Sequence, residues 1–274
     1  MKTILVPTDF SDVSRKALNV AKSIAKKTHA TIHIANFYSI PSGSYAFPDI
    51  SMPSDIIEEI RKIAVEGVEK CANELKLEGF TVESTVEMGT ASDETAELAK
   101  KLNVDLIVMG TTGADGIINK IIGSNAAHVM QKTEIPIILV PKDCDFDGIY
   151  NVIYLDELKE DDAKVLSKVF AFSDEIGIHN IKLLNVNTGF FYQPINEHLL
   201  IHFNRVFGLD KIKLDTVDGT DVKEGVNNYL EKHQIDLVIM STNKKTLLER
   251  IFIQSNTKTM ALYSKIPLMV YHKE

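Results

Sequence analysis

Tryptophan is absent from the 274 residues, and cysteine occurs only at Cys71 and Cys144. The two cysteines are far apart, and neither belongs to a CxxC pair or to a Cys/His spacing that would hold zinc. A disulfide framework and a structural zinc site are therefore excluded as the basis of the fold, and the usage suits a reducing, cytoplasmic compartment. Long apolar runs are also missing: none approaches the ~18 residues of a membrane span. The opening MKTILVPTDF reaches Pro7, Thr8 and Asp9 too soon to be the apolar core of a signal peptide, and it reads as a first strand. Positive charge is in deficit, with 30 Lys and Arg against 38 Asp and Glu, a net charge of −8. That argues against a broad face for nucleic acid but leaves room for a local phosphate site.

What is present is an ordinary globular composition, 45% hydrophobic and 25% charged, long enough for one or two domains. Along residues 1–140, short apolar runs alternate with helical periodicity. TILV (Thr3–Val6), TIHIA (Thr31–Ala35), residues 81–86, LIVM (Leu106–Met109) and IILV (Ile137–Val140) read as strands. Residues 11–27, 56–77, 92–102 and 124–131 read as helices between them. Pro41, Gly43 and Pro48 mark a loop over 37–52, and 110–121 is Gly-rich. Helices between buried strands imply right-handed crossovers and a parallel sheet covered on both faces.

After the Pro-, Gly- and Asp-containing stretch 141–149 the pattern restarts. Residues 151–155 form a strand ending at Asp156, as the first strand ends at Asp9. Residues 105–140 lie over 236–271 without a gap. Asp105, Leu106, Met109, Thr111, Ile122, Ser124, Asn125, Ile135 and Pro136 recur as Asp236, Leu237, Met240, Thr242, Ile253, Ser255, Asn256, Ile266 and Pro267. Polar and Pro positions match in register, which composition alone does not produce. The reading is an internal repeat: two tandem doubly wound α/β domains, 1–144 and 150–274, the second shortened between its second and third strands.

The local signal with chemistry in it is Gly110-Thr-Thr-Gly113, nine residues, then Gly123-Ser124-Asn125. Gly110 and Gly113 permit positive φ and close backbone approach. Gly123 and Ser124 open a helix, where free N–H groups and the dipole attract anions and the serine adds a hydroxyl. Nucleotide phosphates are the expected guest; a structural loop with a capping serine is the rival reading. If strand one lies beside strand four, Asp9 faces Gly110 across the crevice and can accept from a ribose hydroxyl or adenine amine. The alternative is a turn or cap aspartate, with Ser11 competing as cap. Neither a P-loop nor a GxGxxG fingerprint is present.

With G-x2-G-x9-G-[ST] at 110–124, a strand running into Pro7-Thr8-Asp9 and the closing IPIILVP, the chain resembles a tandem universal stress protein over essentially its whole length. The resemblance implies five-stranded parallel sheets of order 3-2-1-4-5, adenine nucleotide alpha hydrolase-like, and ATP (or AMP or ADP, with magnesium as an optional companion) bound in the first copy. It implies that Asp9 contacts the ribose or adenine end. Ile34 would line the adenine pocket, and Gly110, Gly113, Gly123, Ser124 and Asn125 would surround the phosphates. Asn125 departs from the small apolar residue commoner there. Pairing of the two closing strands into an internal pseudo-dimer is also implied, with a further homodimer as an option.

The second copy has Ser241, Lys244 and Gln254 where the first has Gly110, Gly113 and Gly123. Cβ atoms there strain the backbone and fill phosphate space, so no ATP of the family kind is expected. Lys244, Lys245 and Arg250 either hold another anion or form a solvated loop. His198 and His202 lack the glutamate of a zinc motif, and the Lys/Glu pairs of 58–78 form a solvated helix face. Phosphoryl transfer needs metal ligands, a base and a cation; near the motif only Asp115 and Lys120 offer themselves. Regulatory nucleotide binding is thus expected ahead of slow ATP hydrolysis or nucleotidyl transfer. A third option is a sensing module that uses the loops 241–256 and 37–52.

Overall fold

The computed structural model describes residues 1–40, 53–111, 123–155, 163–178, 181–189, 201, 205, 212–242 and 265–273. Among them are ten strands and six helices. The first half holds β1 (Thr3–Pro7), α1 (Asp12–Thr28), β2 (Thr31–Tyr38), α2 (Ser54–Leu77), β3 (Val82–Met88), α3 (Ala91–Lys101), β4 (Leu106–Gly110), α4 (Ser124–Lys132) and β5 (Ile137–Val140). The second holds β6 (Val152–Leu155), α5 (Ala163–Glu175), β7 (Ile181–Asn187), β8 (Ile212–Asp218), α6 (Val222–Leu230), β9 (Leu237–Thr242) and β10 (Leu268–His272).

Local chemistry sets these elements. In α1, Val13, Ala17, Val20, Ala21 and Ile24 fall on one buried stripe. The Ser11 side chain caps the helix by accepting from Ser14 N–H at 3.2 Å, and His29 ends it in the left-handed region at φ 56°. The central strands β1, β4 and β5 are apolar on both faces and wholly buried along their middles, as a covered parallel sheet requires.

All ten strands form one sheet, of order β3-β2-β1-β4-β5-β10-β9-β6-β7-β8. Each half therefore reads 3-2-1-4-5 and is parallel throughout. The halves meet where β5 and β10 pair antiparallel, with Leu139, Ile138 and Ile137 opposite Leu268, Met269 and Val270. Under the gap-free match Ile138 lies over Met269, so this pair sits on the pseudo-two-fold axis relating the halves. The antiparallel joint turns the strand ends of the second half towards the opposite edge of the sheet.

The repeat extends to individual hydrogen bonds. Asp105 Oδ2 accepts from the N–H groups of Lys2 and Thr3 at 2.6 and 2.9 Å. Its match Asp236 accepts through Oδ2 from Tyr150 and Asn151 at 3.0 and 2.8 Å. Ile107 N–H donates to Pro136 O and Val238 N–H to Pro267 O, at 3.0 and 3.1 Å. Two layers of apolar side chains, one on each face of the sheet, run through both halves. One joins Ile4, Val6 and Ile24 to Tyr154, Leu166 and Met269. The other joins Leu5, Ile107 and Val129 to Ile153, Leu230 and Val270.

The stretch 141–149, read from sequence as a linker, is held against α1. Lys16 Nζ donates to Lys142 O and Cys144 O at 2.7 and 2.8 Å, and Lys27 Nζ donates to Ile149 O at 3.2 Å. Cys144 and Ile149 are buried, and burial raises the Cys144 thiol pKa to about 11. Residues 190–211, where the second copy was expected to be shorter, lie almost wholly outside the described residues.

Candidate functional site

β1 lies between β2 and β4. From β1 the chain winds one way to β2 and β3, and from β4 the other way to β5. The carboxyl ends of β1 and β4 thus flank the switch point, where open parallel sheets hold ligands. Pairing Ile4 with Leu106 and Leu5 with Ile107 sets Asp9 and Gly110 both beyond the same edge.

The β1 side is a braced turn. Thr8 N–H donates to Ala35 O at 2.8 Å, and Asn36 Nδ2 donates to Thr8 O at 2.7 Å. Thr8 Oγ1 accepts from Phe10 N–H at 3.1 Å and donates to Ser14 Oγ at 3.0 Å. Asp9 Oδ1 accepts from Ser11 N–H at 3.0 Å, so Asp9 is a turn aspartate and Ser11 is the cap, while the Asp9 residue remains exposed. Phe10 takes φ 62°, unusual for a bulky residue, and is over-determined on both sides. Arg15 Nη1 donates to its carbonyl at 2.7 Å. Its ring lies over Gly67 of α2, where a Cβ would come within 2.6 Å of Cζ.

The β4 side differs from expectation at Gly110. This glycine has no positive φ. A Cβ there would meet Val13 Cγ1 at 2.7 Å, so the described structure requires glycine for the approach of α1, where the sequence suggested left-handed backbone and ligand access. Thr111 N–H donates to Val140 O at 2.9 Å, and Gly123 N–H donates to Thr111 O, closing the base of the connection. Gly113 lies outside the described residues.

Gly123, extended at φ −63° and ψ 158°, is the N-cap of α4 and offers no side-chain bond. Ser124 and Asn125 follow as exposed first-turn residues. The other helix starts with described caps are provided for. Ser11, Thr90 and Asp221 cap α1, α3 and α6 with side-chain oxygens, and acidic residues stand in the first turns of α1, α2, α3 and α6. Of the five helices with described caps, α4 alone has neither. Among the described residues, no side chain caps its first-turn amides, where the positive dipole end lies. One turn further on, His128 Nε2 lies 3.1 Å from Asp93 Oδ1, and Lys132 Nζ also bonds that oxygen. The ammonium of Lys132, then the hydroxyl of Thr90, holds the Asp93 carboxyl down at about 2. These bonds tie α4 to α3.

The structure thus brings Asp9, Gly110, Gly123, Ser124 and Asn125 to one edge. Ile34 has 0% exposure and belongs to the apolar layer under α1 and α2. Thr8, Ser14 and Asn36 were missed. The signal for Asn36 was a polar residue, 7% exposed, inside the apolar strand TIHIANFY. Thr8 and Ser14 were legible only as hydroxyls beside a cap.

In the second half, Ser241 is buried where Gly110 stands in the first, and the fully buried Tyr154 donates its phenol proton to Ser241 Oγ at 3.0 Å. The registers also correct one match. Val152 pairs with Leu237 as Ile4 pairs with Leu106; counting on, Asp156 corresponds to Thr8 and not to Asp9. Asp156, Lys244, Lys245, Arg250, Gln254, Ser255 and Asn256 lie outside the described residues, as do His198 and His202. Among the described residues, no His/Cys/Asp/Glu cluster could hold a metal, and no helix is long and apolar enough to cross a membrane.

The family model of the universal stress protein family matches residues 1–141 and 208–272. Universal stress protein MJ0531 of Methanocaldococcus jannaschii is 33% identical over 148 residues, covering 52% of this chain and 82% of that protein. Universal stress protein YxiE of Bacillus subtilis is 29% identical over 143 residues, covering 50% of this chain and 97% of its own. The solved structure of a universal stress protein from Archaeoglobus fulgidus superposes with a TM-score of 0.76 at 16% identity, covering 99% of this chain and 98% of the other, and shares the whole fold. Relatives of single-domain length matched over half the chain, and a structure matched from end to end, describe one architecture at two scales: the chain belongs to the universal stress protein family.

Proposed function

We propose that this protein binds one adenine nucleotide, ATP or its products AMP and ADP, at the carboxyl edge of the first half, and serves as a regulatory protein of the stress response. The observation that carries the reading is the open start of α4. It has no capping side chain and no first-turn acid, and it closes a segment with the spacing G-x2-G-x9-G-S. In this reading the amides of Ser124 and Asn125 and the Ser124 hydroxyl receive phosphate oxygens, and Gly113 leaves room beside them. The Asp9 carboxylate, one oxygen of which already accepts from Ser11 N–H, accepts from the ribose or adenine end. Ile34 supports the floor from within the core. Magnesium would accompany the phosphates as their counter-ion.

The second half is proposed to lack this activity, because Ser241, Lys244 and Gln254 stand at the glycine positions. The role is binding ahead of turnover: among the described residues no group of His, Cys, Asp and Glu could hold a metal ion.

Isothermal titration with Mg-ATP, AMP and ADP tests this on the wild type and on Gly113→Lys, which copies the second repeat. One nucleotide per chain, lost in the variant, is the expected result. At a hundredfold excess over Kd it would stabilise the fold by ~2.7 kcal/mol. No heat with any of the three, and no nucleotide released on denaturing the purified protein, overturns the proposal. Hydrolysis above background that falls in Ser124→Ala would replace it with an enzyme.

A further inference from the structure

Two residues of the first half each run against their own local structure. Phe10 takes φ 62°, in the left-handed region that bulky side chains avoid. Gly67 stands in the interior of the 24-residue helix α2, where glycine is the poorest residue after proline. Interchanged, a glycine at position 10 and a larger residue at position 67 would suit turn and helix alike. The contact between them accounts for both. The far rim of the Phe10 ring lies on Gly67, where a Cβ would stand 2.6, 2.8 and 3.1 Å from Cζ, Cε2 and Cε1. The ring also packs against the apolar layer of that face. A large side chain is thus seated on α2 from a backbone conformation that glycine adopts most freely.

That conformation sets the direction of Asp9. Asp9 Oδ1 accepts from Ser11 N–H at 3.0 Å, and the bond closes a ring that runs through the Phe10 backbone. Thr8 Oγ1 accepts from Phe10 N–H at 3.1 Å, and Arg15 Nη1 donates to Phe10 O at 2.7 Å. Both backbone polar groups of Phe10 are therefore bonded, and its ring is seated as well. Strained backbone of this kind persists where the surroundings over-determine it, and it clusters at ligand sites. The start of α1 does not call for it: the cap comes from the Ser11 side chain, which a glycine at position 10 would leave in place. What the seated ring adds is rigidity in the residue joined to Asp9. A carboxylate held in place before a ligand arrives loses less freedom on binding.

We infer that Phe10 is a positioning residue of the nucleotide site. Its ring, seated on Gly67, holds the turn in which the Asp9 carboxylate receives the ribose or adenine end. This role rests on the nucleotide reading above, and it falls to a residue that need touch no ligand. It also makes α2 part of the support of the site.

Isothermal titration of the full chain with Mg-ATP tests it, on the wild type, Asp9→Ala, Phe10→Gly and the double variant. Phe10→Gly keeps the left-handed turn and removes the ring. It is expected to weaken ATP binding ~5-fold, the effect of freeing about one side chain. In the Asp9→Ala background the same change should alter affinity by less than ~2-fold, because the group it positions is gone. A phenylalanine that only stabilises the fold would act alike with and without Asp9. Circular dichroism and thermal melts verify that each variant is folded. Gly67→Ala, whose Cβ displaces the ring, takes the place of Phe10→Gly should that variant fail. Amide hydrogen exchange without nucleotide gives a second readout: Ser11 N–H should exchange several-fold faster once the ring is removed or displaced. A wild type that binds no ATP overturns the nucleotide reading and this role with it. A wild type that binds, beside a Phe10→Gly that binds equally well or is weakened alike in both backgrounds, overturns this role and leaves the nucleotide reading standing. Unchanged exchange at Ser11 overturns it equally.

Discussion

The two halves repeat the same scaffold and differ where the fourth strand ends. At the sheet's amino edge the copies are nearly interchangeable: Asp105 and Asp236 each receive two backbone N–H groups from the start of the first strand of their half. At the carboxyl edge they part. Gly110 admits Val13, whereas Ser241 is buried and bonded to Tyr154. The bonds that specify the fold can be kept while the loop that would hold a ligand is replaced, because they lie at opposite ends of the same strands. The glycine-to-serine change also leaves no unsatisfied hydroxyl, since a tyrosine stands where the first half has Val6.

The comparison can be broken most severely by importing the second half's residue into the first. Gly110→Ser should lose ~2 kcal/mol, the order of an overpacked core contact, because its Cβ would lie 2.7 Å from Val13 Cγ1. Adding Val13→Ala should recover part of that loss. Urea denaturation of the single and double variants measures both, and a harmless single variant would show that this glycine does not serve packing.

A smaller effect sharpens the symmetry. Asp105→Ala and Asp236→Ala should each cost about 1 kcal/mol, the usual net worth of such hydrogen bonds at exposed positions, and the two costs should match. Denaturation midpoints that differ widely would show that the matched geometry is not matched energetics.

The smallest effect concerns His33. It is buried on β2, with Nε2 2.8 Å from Thr85 Oγ1 and Nδ1 3.4 Å from Glu83 Oε2; the registers place Lys182, Asp215 and Lys213 at the positions of His33, Thr85 and Glu83 in the second half. Burial lowers its pKa, with Glu83 and then Glu87 opposing. A lowered folded pKa means that the unfolded chain takes the proton first. Stability is therefore full above the ordinary histidine value of ~6.5 and declines as pH falls from there towards the folded value. His33→Gln should flatten that slope in melts taken across mildly acidic pH. An unchanged slope would assign the acid sensitivity elsewhere.

Much of this molecule was legible in its residues. Apolar runs without polar interruption, such as LIVM and IILV, marked the central strands, because a doubly covered strand needs no alternation. The register match of Asp105 and Pro136 with Asp236 and Pro267 gave the repeat, because those residues hold backbone and cannot drift. Less legible were features made by elements distant in sequence. Val13 packing on Gly110 gives that glycine a reason sequence could not supply, since it depends on how α1 lies across β4. Asp156 was matched to Asp9 by chemistry, and only the strand pairing sets it over Thr8. The open start of α4 was legible as Gly-Ser-Asn; that the other helices with described caps carry a capping oxygen or a first-turn acid had to be seen in three dimensions.

The β5–β10 joint has a further consequence. For two separate chains, an edge-to-edge contact of three residue pairs forms or dissolves with dilution. Here the partners share one backbone, and tethering holds them at an effective concentration of the order of millimolar whatever the protein's abundance. Copy number and assembly are thereby uncoupled. One half is free to differ from the other without losing its partner, and every molecule carries a fixed ratio of one intact loop to one altered loop, which assembly from independent subunits cannot guarantee.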